Sequence, residues 1–392
     1  MARFNTPFFL GFLLLACIVP APALAADYPC TSPYRIEATL PNGAAWGMCW
    51  EHRQQNGITL HHIYYTPKAG QQRMIINQAE VAQVHVPYDD NGARYHDITD
   101  YGFGGSNLLS LTEAECPGGT LLTFYAQPII CQQVQPRGEA LRNQNKATTG
   151  HKLSIFSVSK IGSYRYIPRW EFLDDGSIDI SIGATGALQR FGQATANNGW
   201  LITPERVGLG HLHNFFWRLD FDLGGDAAND YAEELEFVEK DQGLALQQQR
   251  FTSEAARDVS PSTLRSWLIA DADLKNAIGH PMAYEVELYQ SGQKDKGPDS
   301  EPFTHHDIYF TKQKDCERFA SRNADMDTCA TNLADFIDGE TLEGQDIVVW
   351  PTTTFYHLPR SEDAPTMDTH WSGIRLRPFD WHDTTPLTGN TQ

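Results

Sequence analysis

Positive charge is scarce in this sequence: 30 Lys and Arg stand against 49 Asp and Glu, for a formal net charge of -19. So acidic a chain repels the phosphate backbone, which argues against nucleic acid as a partner and favours cationic small molecules. Long apolar runs are missing beyond the N-terminus, so no stable membrane insertion is expected of the mature chain. Extended helical patterns are rare. No internal repeat, low-complexity tract or proline-rich linker divides the chain. Cysteine is sparse as well, with seven in 392 residues and none at zinc-type spacing.

Where an apolar run does occur, it is a targeting segment. Arg3 precedes the stretch from Pro7 to Pro20, and Ala23-Leu24-Ala25 follows as a small-x-small cleavage signal. Residues 1–25 therefore read as a cleaved signal peptide, and the mature protein as periplasmic or secreted. Leu14-Leu15-Ala16-Cys17 offers a competing lipoprotein signal, but the apolar region continues past Cys17 to the better cleavage site. Export implies an oxidising compartment. Apart from Cys17, six cysteines remain, and pairing between sequence neighbours is expected: Cys30–Cys49, Cys116–Cys131 and Cys316–Cys329.

Short alternating runs bounded by Gly, Pro, Asn and Asp fill the rest. They cover 57–65, 72–85, 153–158, 176–182, 284–289, 307–311 and 346–357. The run from Trp170 to Ile180 reads as a hairpin turning at Asp175-Gly176. Many short strands argue for an all-β sandwich or barrel with few helices. Two helices are expected, over Ser253–Val259 and over Ser262–Ala272, the latter opened by Ser262 after Pro261. The tail from about Thr384 is polar.

The most informative stretch is His211-Leu212-His213-Asn214-Phe215-Phe216-Trp217-Arg218-Leu219-Asp220-Phe221-Asp222. In a strand, side chains two apart share a face. His211, His213, Phe215, Trp217, Leu219 and Phe221 then point one way, and Arg218, Asp220 and Asp222 the other. Two imidazoles at the end of an apolar stripe are either hydrogen-bonded core histidines or ligands of one metal ion. His357, ending the run that begins at Asp346, supplies a third. Three imidazoles with an open position suit copper or zinc.

These residues belong to a longer series of landmarks. It comprises Val86-Pro87-Tyr88, Tyr95-His96-Asp97, Gly162-Ser163-Tyr164-Arg165-Tyr166, Asp175-Gly176-Ser177-Ile178 and Gly183-Ala184-Thr185-Gly186. The histidine strand follows, then Gly279-His280-Pro281, Asp346-Ile347-Val348-Val349-Trp350, the segment 357–363 and Leu376-Arg377-Pro378. In this order they resemble the catalytic C-terminal domain of the copper amine oxidases, quinone-dependent enzymes that oxidise primary amines with dioxygen. The resemblance implies a large β-sandwich of that catalytic-domain type over residues 46–387, with 26–45 as a lead-in and 388–392 as a tail. The smaller domains that usually precede it in the family have no counterpart here, so a shortened form is expected.

Carried over residue by residue, the resemblance implies copper on His211, His213 and His357. It implies that Tyr164 is the precursor of topaquinone, that Asp97 is the general base and that Tyr88 hydrogen-bonds the quinone oxygen. Tyr95 falls near the substrate gate. Asp220, Asp222 and Asp346, with the carbonyls of Phe221 and Ile347, match a peripheral calcium site, consistent with calcium's preference for oxygen ligands. A homodimer is also implied.

Around Tyr164 the match breaks. The family pattern has Thr four residues before the modified tyrosine, Asn just before it and an acid just after; here stand Lys160, Ser163 and Arg165. In an extended segment Ser163 and Arg165 point away from the tyrosine face, whereas Lys160 shares it. An ammonium there would bias the cofactor's charge or, were the chain to turn at Ile161-Gly162, attack the oxidised ring. Two readings stay open: an exported amine oxidase releasing aldehyde, ammonia and hydrogen peroxide, or a copper-binding protein of the same fold whose quinone never matures. A zinc hydrolase using the same histidines is a third.

Overall fold

The computed structural model describes residues 28–289, 297–323 and 329–388. The signal-peptide reading, with Cys17, lies outside them, as do the last four residues of the tail. Two large antiparallel sheets face one another. In the nine-stranded sheet, Gly57–Thr66, Arg73–Pro87, His211–Phe221, Ile347–His357 and Ile308–Lys312 lie side by side in that order. In the eleven-stranded sheet, Tyr164–Leu173 runs between Ile178–Gly186 and Lys146–Phe156. The lead-in contributes Arg35–Thr39, which pairs with Ala45–Arg53 at the edge of the first sheet.

Alternation explains why the sheets close on each other. Phe215, Trp217, Leu219 and Phe221 from one sheet and Tyr166, Trp170, Phe172, Ile178 and Ile180 from the other belong to one buried core. The histidine strand is buried along its whole length, on both faces. Its second face packs Phe216 with Val348, Trp350, Leu333 and Phe336 in a separate cluster. Arg218 and Asp220 are therefore buried, not solvated.

The hairpin expected at Asp175-Gly176 is present: Phe172 pairs with Ile178, and Gly176 takes φ +92°, a conformation that disfavours any side chain. All three disulfides join the sequence neighbours anticipated. They close short loops and fit an oxidising compartment. No helix among the described residues is long and apolar enough to cross a membrane.

Both expected helices are corrected. Within the first lies the strand Ala255–Arg257, and Ser266–Lys275 replaces the second, pairing on both sides with Asp230–Lys240 and Pro281–Tyr289. Trp267 and Ile269 face the main core while Leu268 and Ala270 face another cluster. A strand buried on both faces reads as a continuous apolar run, and periodicity alone does not separate that from a buried helix. The α-helices among the described residues are single turns, Asp97–Asp100 and Leu333–Phe336.

Candidate metal centre and active site

Strand register brings the three histidines together. His211 and His357 are directly opposed partners in antiparallel strands, 146 residues apart in sequence, and His213 lies two positions along the same face. Ring centroids are 4.8 Å apart for His211 and His357 and 5.0 Å for His211 and His213.

The outer nitrogens decide which atoms remain for a metal. His211 Nδ1 lies 3.0 Å from the Leu209 carbonyl, which makes it the protonated nitrogen and leaves Nε2 its lone pair. His357 Nε2 is held 3.0 Å from the Asp363 carboxylate, leaving Nδ1 turned to His211 Nε2 at 3.2 Å. His213 Nδ1 stands 3.5 Å from the Tyr166 hydroxyl, and its Nε2 is buried with no hydrogen-bond partner. An orphaned imidazole nitrogen beside two converging ones is costly in a protein without a metal. Burial, reinforced by the neighbouring imidazoles, drives His211 down to about 3 and His213 well below the usual range. The His211 and His213 rings are thus neutral, as metal ligation requires. The donor set fits a copper-class ion.

Tyr164 comes from the opposite sheet. Its hydroxyl lies 2.7 Å from His211 Nε2, and its ring centroid lies 5.2 Å from that of His213. Tyr88, paired with His211 by an isolated bridge, stacks on the His211 ring and interacts through its hydroxyl with that of Tyr164. On the other side of Tyr164, Asp97 opens its helical turn and accepts a 2.8 Å hydrogen bond from Tyr166. Burial pushes the Asp97 carboxyl up to about 7; the Tyr166 bond works against that rise and Asp100 adds to it.

Two cavities approach the phenol from opposite sides. One of about 110 Å³ is walled by Tyr88, Tyr95, Tyr101 and Tyr166, with Asp97 at its base. The other, about 380 Å³, touches His213, His357, Asp363 and His370. A residue at Tyr164 is therefore reached separately from the aspartate side and from the histidine side.

This arrangement meets an independent finding: the family model described as copper amine oxidase, enzyme domain, matches residues 132–392. The chain belongs to the copper amine oxidase family. It is 26% identical to a histamine oxidase of Arthrobacter globiformis over 90% of this chain and 57% of the relative. Against a primary amine oxidase of Klebsiella aerogenes it is also 26% identical, over 91% of this chain and 54% of the relative. The fold matches that of an Aspergillus nidulans amine oxidase with a TM-score of 0.77 and 20% identity, covering 97% of this chain and 56% of the other. The chain thus spans little more than half the length of these relatives.

A turn sets where the residues around Tyr164 that depart from the family pattern lie. Ser159–Ile161 folds back on Tyr164–Leu173, with Tyr164 opposite Ile161 and Arg165 opposite Lys160. Gly162 makes that reversal at φ +57°. The expectation that Lys160 shares the face of Tyr164 is corrected: cross-strand partners share a face, so Lys160 sides with Arg165 and is exposed. A bond from its amine to the Tyr164 ring has no geometric support.

Tyr166 and Asp363 were given no role by the sequence reading. Tyr166 was findable, because it stands two residues from Tyr164 in a strand. Asp363 was not, since its contact with His357 depends on the turn at Ser361–Asp363. Burial tends to raise the Asp363 carboxyl, but the hydrogen bond from His357 and the Arg360 amide leave it lowered, an anion that orients the ligand ring. Tyr95 packs edge-on to Tyr88 with centroids 6.1 Å apart, at the wall of the smaller cavity.

The acidic set lies at the far end of the histidine strand. Buried oxygens of Asp220, Asp222 and Asp346 lack hydrogen-bond partners, as does one of Asp230, which the sequence reading did not include. Burial raises all four; repulsion from neighbouring carboxylates adds to the rise at Asp222, Asp230 and Asp346, taking Asp222 to about 6 and Asp230 to about 9, while Arg218, Asp346 and Asn77 restrain Asp220. Their ligand atoms are not among the sets lying within 4.8 Å of one another.

Proposed function

We propose that this chain is an exported copper- and topaquinone-dependent oxidase of small primary amines, converting amine, dioxygen and water to aldehyde, ammonia and hydrogen peroxide. The observation that carries this reading is the Tyr164 hydroxyl, 2.7 Å from His211 Nε2 inside the buried imidazole trio. His211 and His213 through Nε2 and His357 through Nδ1 would hold the copper. When bound, copper and the quinone made from Tyr164 supply an electron sink and a route to dioxygen.

The protein's own residues do the rest. The tyrosine-lined cavity takes an amine in its aromatic walls, whose faces attract a cation. Asp97, shielded from water, is a carboxylate basic enough to take the α-proton. Tyr166 fixes which oxygen of Asp97 is turned to the substrate. Tyr88 holds an oxygen at the Tyr164 position, and Tyr95 is placed to screen the entrance.

The test is peroxide release from copper-loaded protein across a short panel of monoamines and diamines, run beside phenylhydrazine titration. Amine-dependent peroxide with a hydrazine-reactive carbonyl supports the oxidase. A colourless, hydrazine-inert holoprotein identifies the non-enzymatic copper binder instead. Association of two copies is proposed on the family resemblance, and light scattering on the eluting protein reads it.

Four unpartnered buried carboxylate oxygens also support a calcium ion held by Asp220, Asp222 and Asp346 with the carbonyls of Phe221 and Ile347, joined by Asp230. A ligand at a hundredfold its Kd stabilises by about 2.7 kcal/mol. Stripping calcium from copper-loaded protein should therefore lower its melting temperature by several degrees, reversed by calcium and not by zinc. An unchanged melting temperature sinks the assignment.

A further inference from the structure

We propose that His85, His96 and Glu301 form a second metal site, for a divalent ion of zinc's class, on the face of the His211–Phe221 strand opposite the copper trio. His85 and His96 are directly paired across adjacent strands, with ring centroids 4.9 Å apart. Glu301 closes over them from the turn that precedes Pro302–Thr304. All three are buried, at 0%, 5% and 8% exposure, and each offers a ligand atom within 4.8 Å of the others.

Tetrahedral bonds of about 2.1 Å place ligand atoms roughly 3.4 Å apart. His85 Nε2 already stands 3.4 Å from Glu301 Oε1. That separation makes no well-formed hydrogen bond, so the fully buried Nε2 faces the carboxylate as a loose ion pair and has no hydrogen-bond partner. Such a group calls for an explanation, and a bridging ion supplies one.

The surrounding contacts orient the ligands as a metal would need. Ser321 Oγ holds His96 Nδ1 at 2.9 Å, which leaves Nε2 of His96 for coordination. The Asn214 amide nitrogen lies 3.2 Å from His85 Nδ1, and its oxygen accepts a 2.7 Å hydrogen bond from the Thr354 hydroxyl. Ligation through Nε2 requires this amide turned end for end, its oxygen accepting from Nδ1–H and its nitrogen donating to Thr354; a hydroxyl accepts as readily as it donates, so the reversal needs no other change. Arg94 forks onto both oxygens of Glu301 from the more exposed side, fixing the carboxylate. Its positive charge also weakens the site, so binding should be looser than at the copper trio.

Two imidazoles and one carboxylate leave positions open, and a cavity of about 380 Å³ bordered by His85, Arg94, Leu212, Asn214 and Glu301 adjoins them. A three-ligand set with an open position suits zinc, with ferrous iron using the same chemistry. By contrast, in the cluster Glu254, Asp338 and Glu340, Lys314 already pairs with Asp338 and Glu340, and Glu254 accepts from the backbone amides of Lys312 and Asp338.

The experiment uses copper-loaded full chain equilibrated with zinc chloride and desalted, with metal content measured by mass spectrometry and zinc K-edge absorption. One added equivalent of zinc with imidazole scattering, copper unchanged, is the expected result. Glu301→Gln and His96→Gln should each lose that zinc and keep their copper. Background zinc in the native chain, zinc gained only as copper is lost, or zinc retained in both variants overturns the site. Should the variants not fold, the absorption spectrum of the native chain decides: zinc without imidazole neighbours excludes it.

Discussion

Asp97→Asn is expected to reduce amine-dependent peroxide release by about 10²–10⁴-fold, the usual contribution of a positioned general base, while copper content stays unchanged. Asparagine matches the aspartate in shape and can still accept from Tyr166, so the loss isolates the proton-accepting role. The pH profile gives the second readout. A general base works ionised, and burial places the Asp97 carboxyl at about 7. In the native protein kcat/KM should therefore climb as pH rises through about 7 and fall away below it. Asparagine does not titrate, so that limb should vanish from the variant's residual activity. Tyr166→Phe removes the hydrogen bond that lowers this carboxyl, and the limb should then move to higher pH. A limb that survives unchanged in Asp97→Asn would falsify the assignment.

Strand periodicity made part of this site legible in the sequence; Tyr164, Asp97 and Tyr88 were legible only through the family resemblance. His211 and His213 share a face because they are two apart, and their apolar continuation through Phe221 marked that face as core. What periodicity does not report is register. That His357 falls opposite His211, and not one residue to either side, follows from pairing between strands far apart in the chain. The same limit hid His85 opposite His96. Side-chain alternation also misleads wherever both faces are covered. The run 262–272 reads as a helix for that reason, whereas the strand Ser266–Lys275 buries Trp267 and Ile269 on one face and Leu268 and Ala270 on the other. Lys160 failed differently, because an extended reading carried it onto the Tyr164 face while Gly162 turns the chain back. Asp363 and Asp230 owe their positions to turns whose geometry leaves no periodic trace.

Tyr164→Phe should leave a protein that folds and binds copper yet shows no hydrazine-reactive carbonyl and no peroxide release above background. The ring is buried in the common core and its aromatic packing on Tyr166 needs no hydroxyl, so folding should be nearly untouched. Only the oxygen facing His211 is removed, and without it the ring lacks the phenol from which a quinone is made. Lys160→Met is the matched control. Its exposed side chain pairs across the hairpin with Arg165, on the face away from Tyr164, so both carbonyl titre and peroxide rate should stay near those of the native chain. Mass spectrometry of the peptide spanning 160–165 separates the outcomes: a quinone at residue 164 with an unmodified lysine at 160 in the native chain, and no added oxygen in Tyr164→Phe. A native peptide with residue 164 still an unoxidised tyrosine after copper and air would leave the histidine trio a metal site without a redox partner.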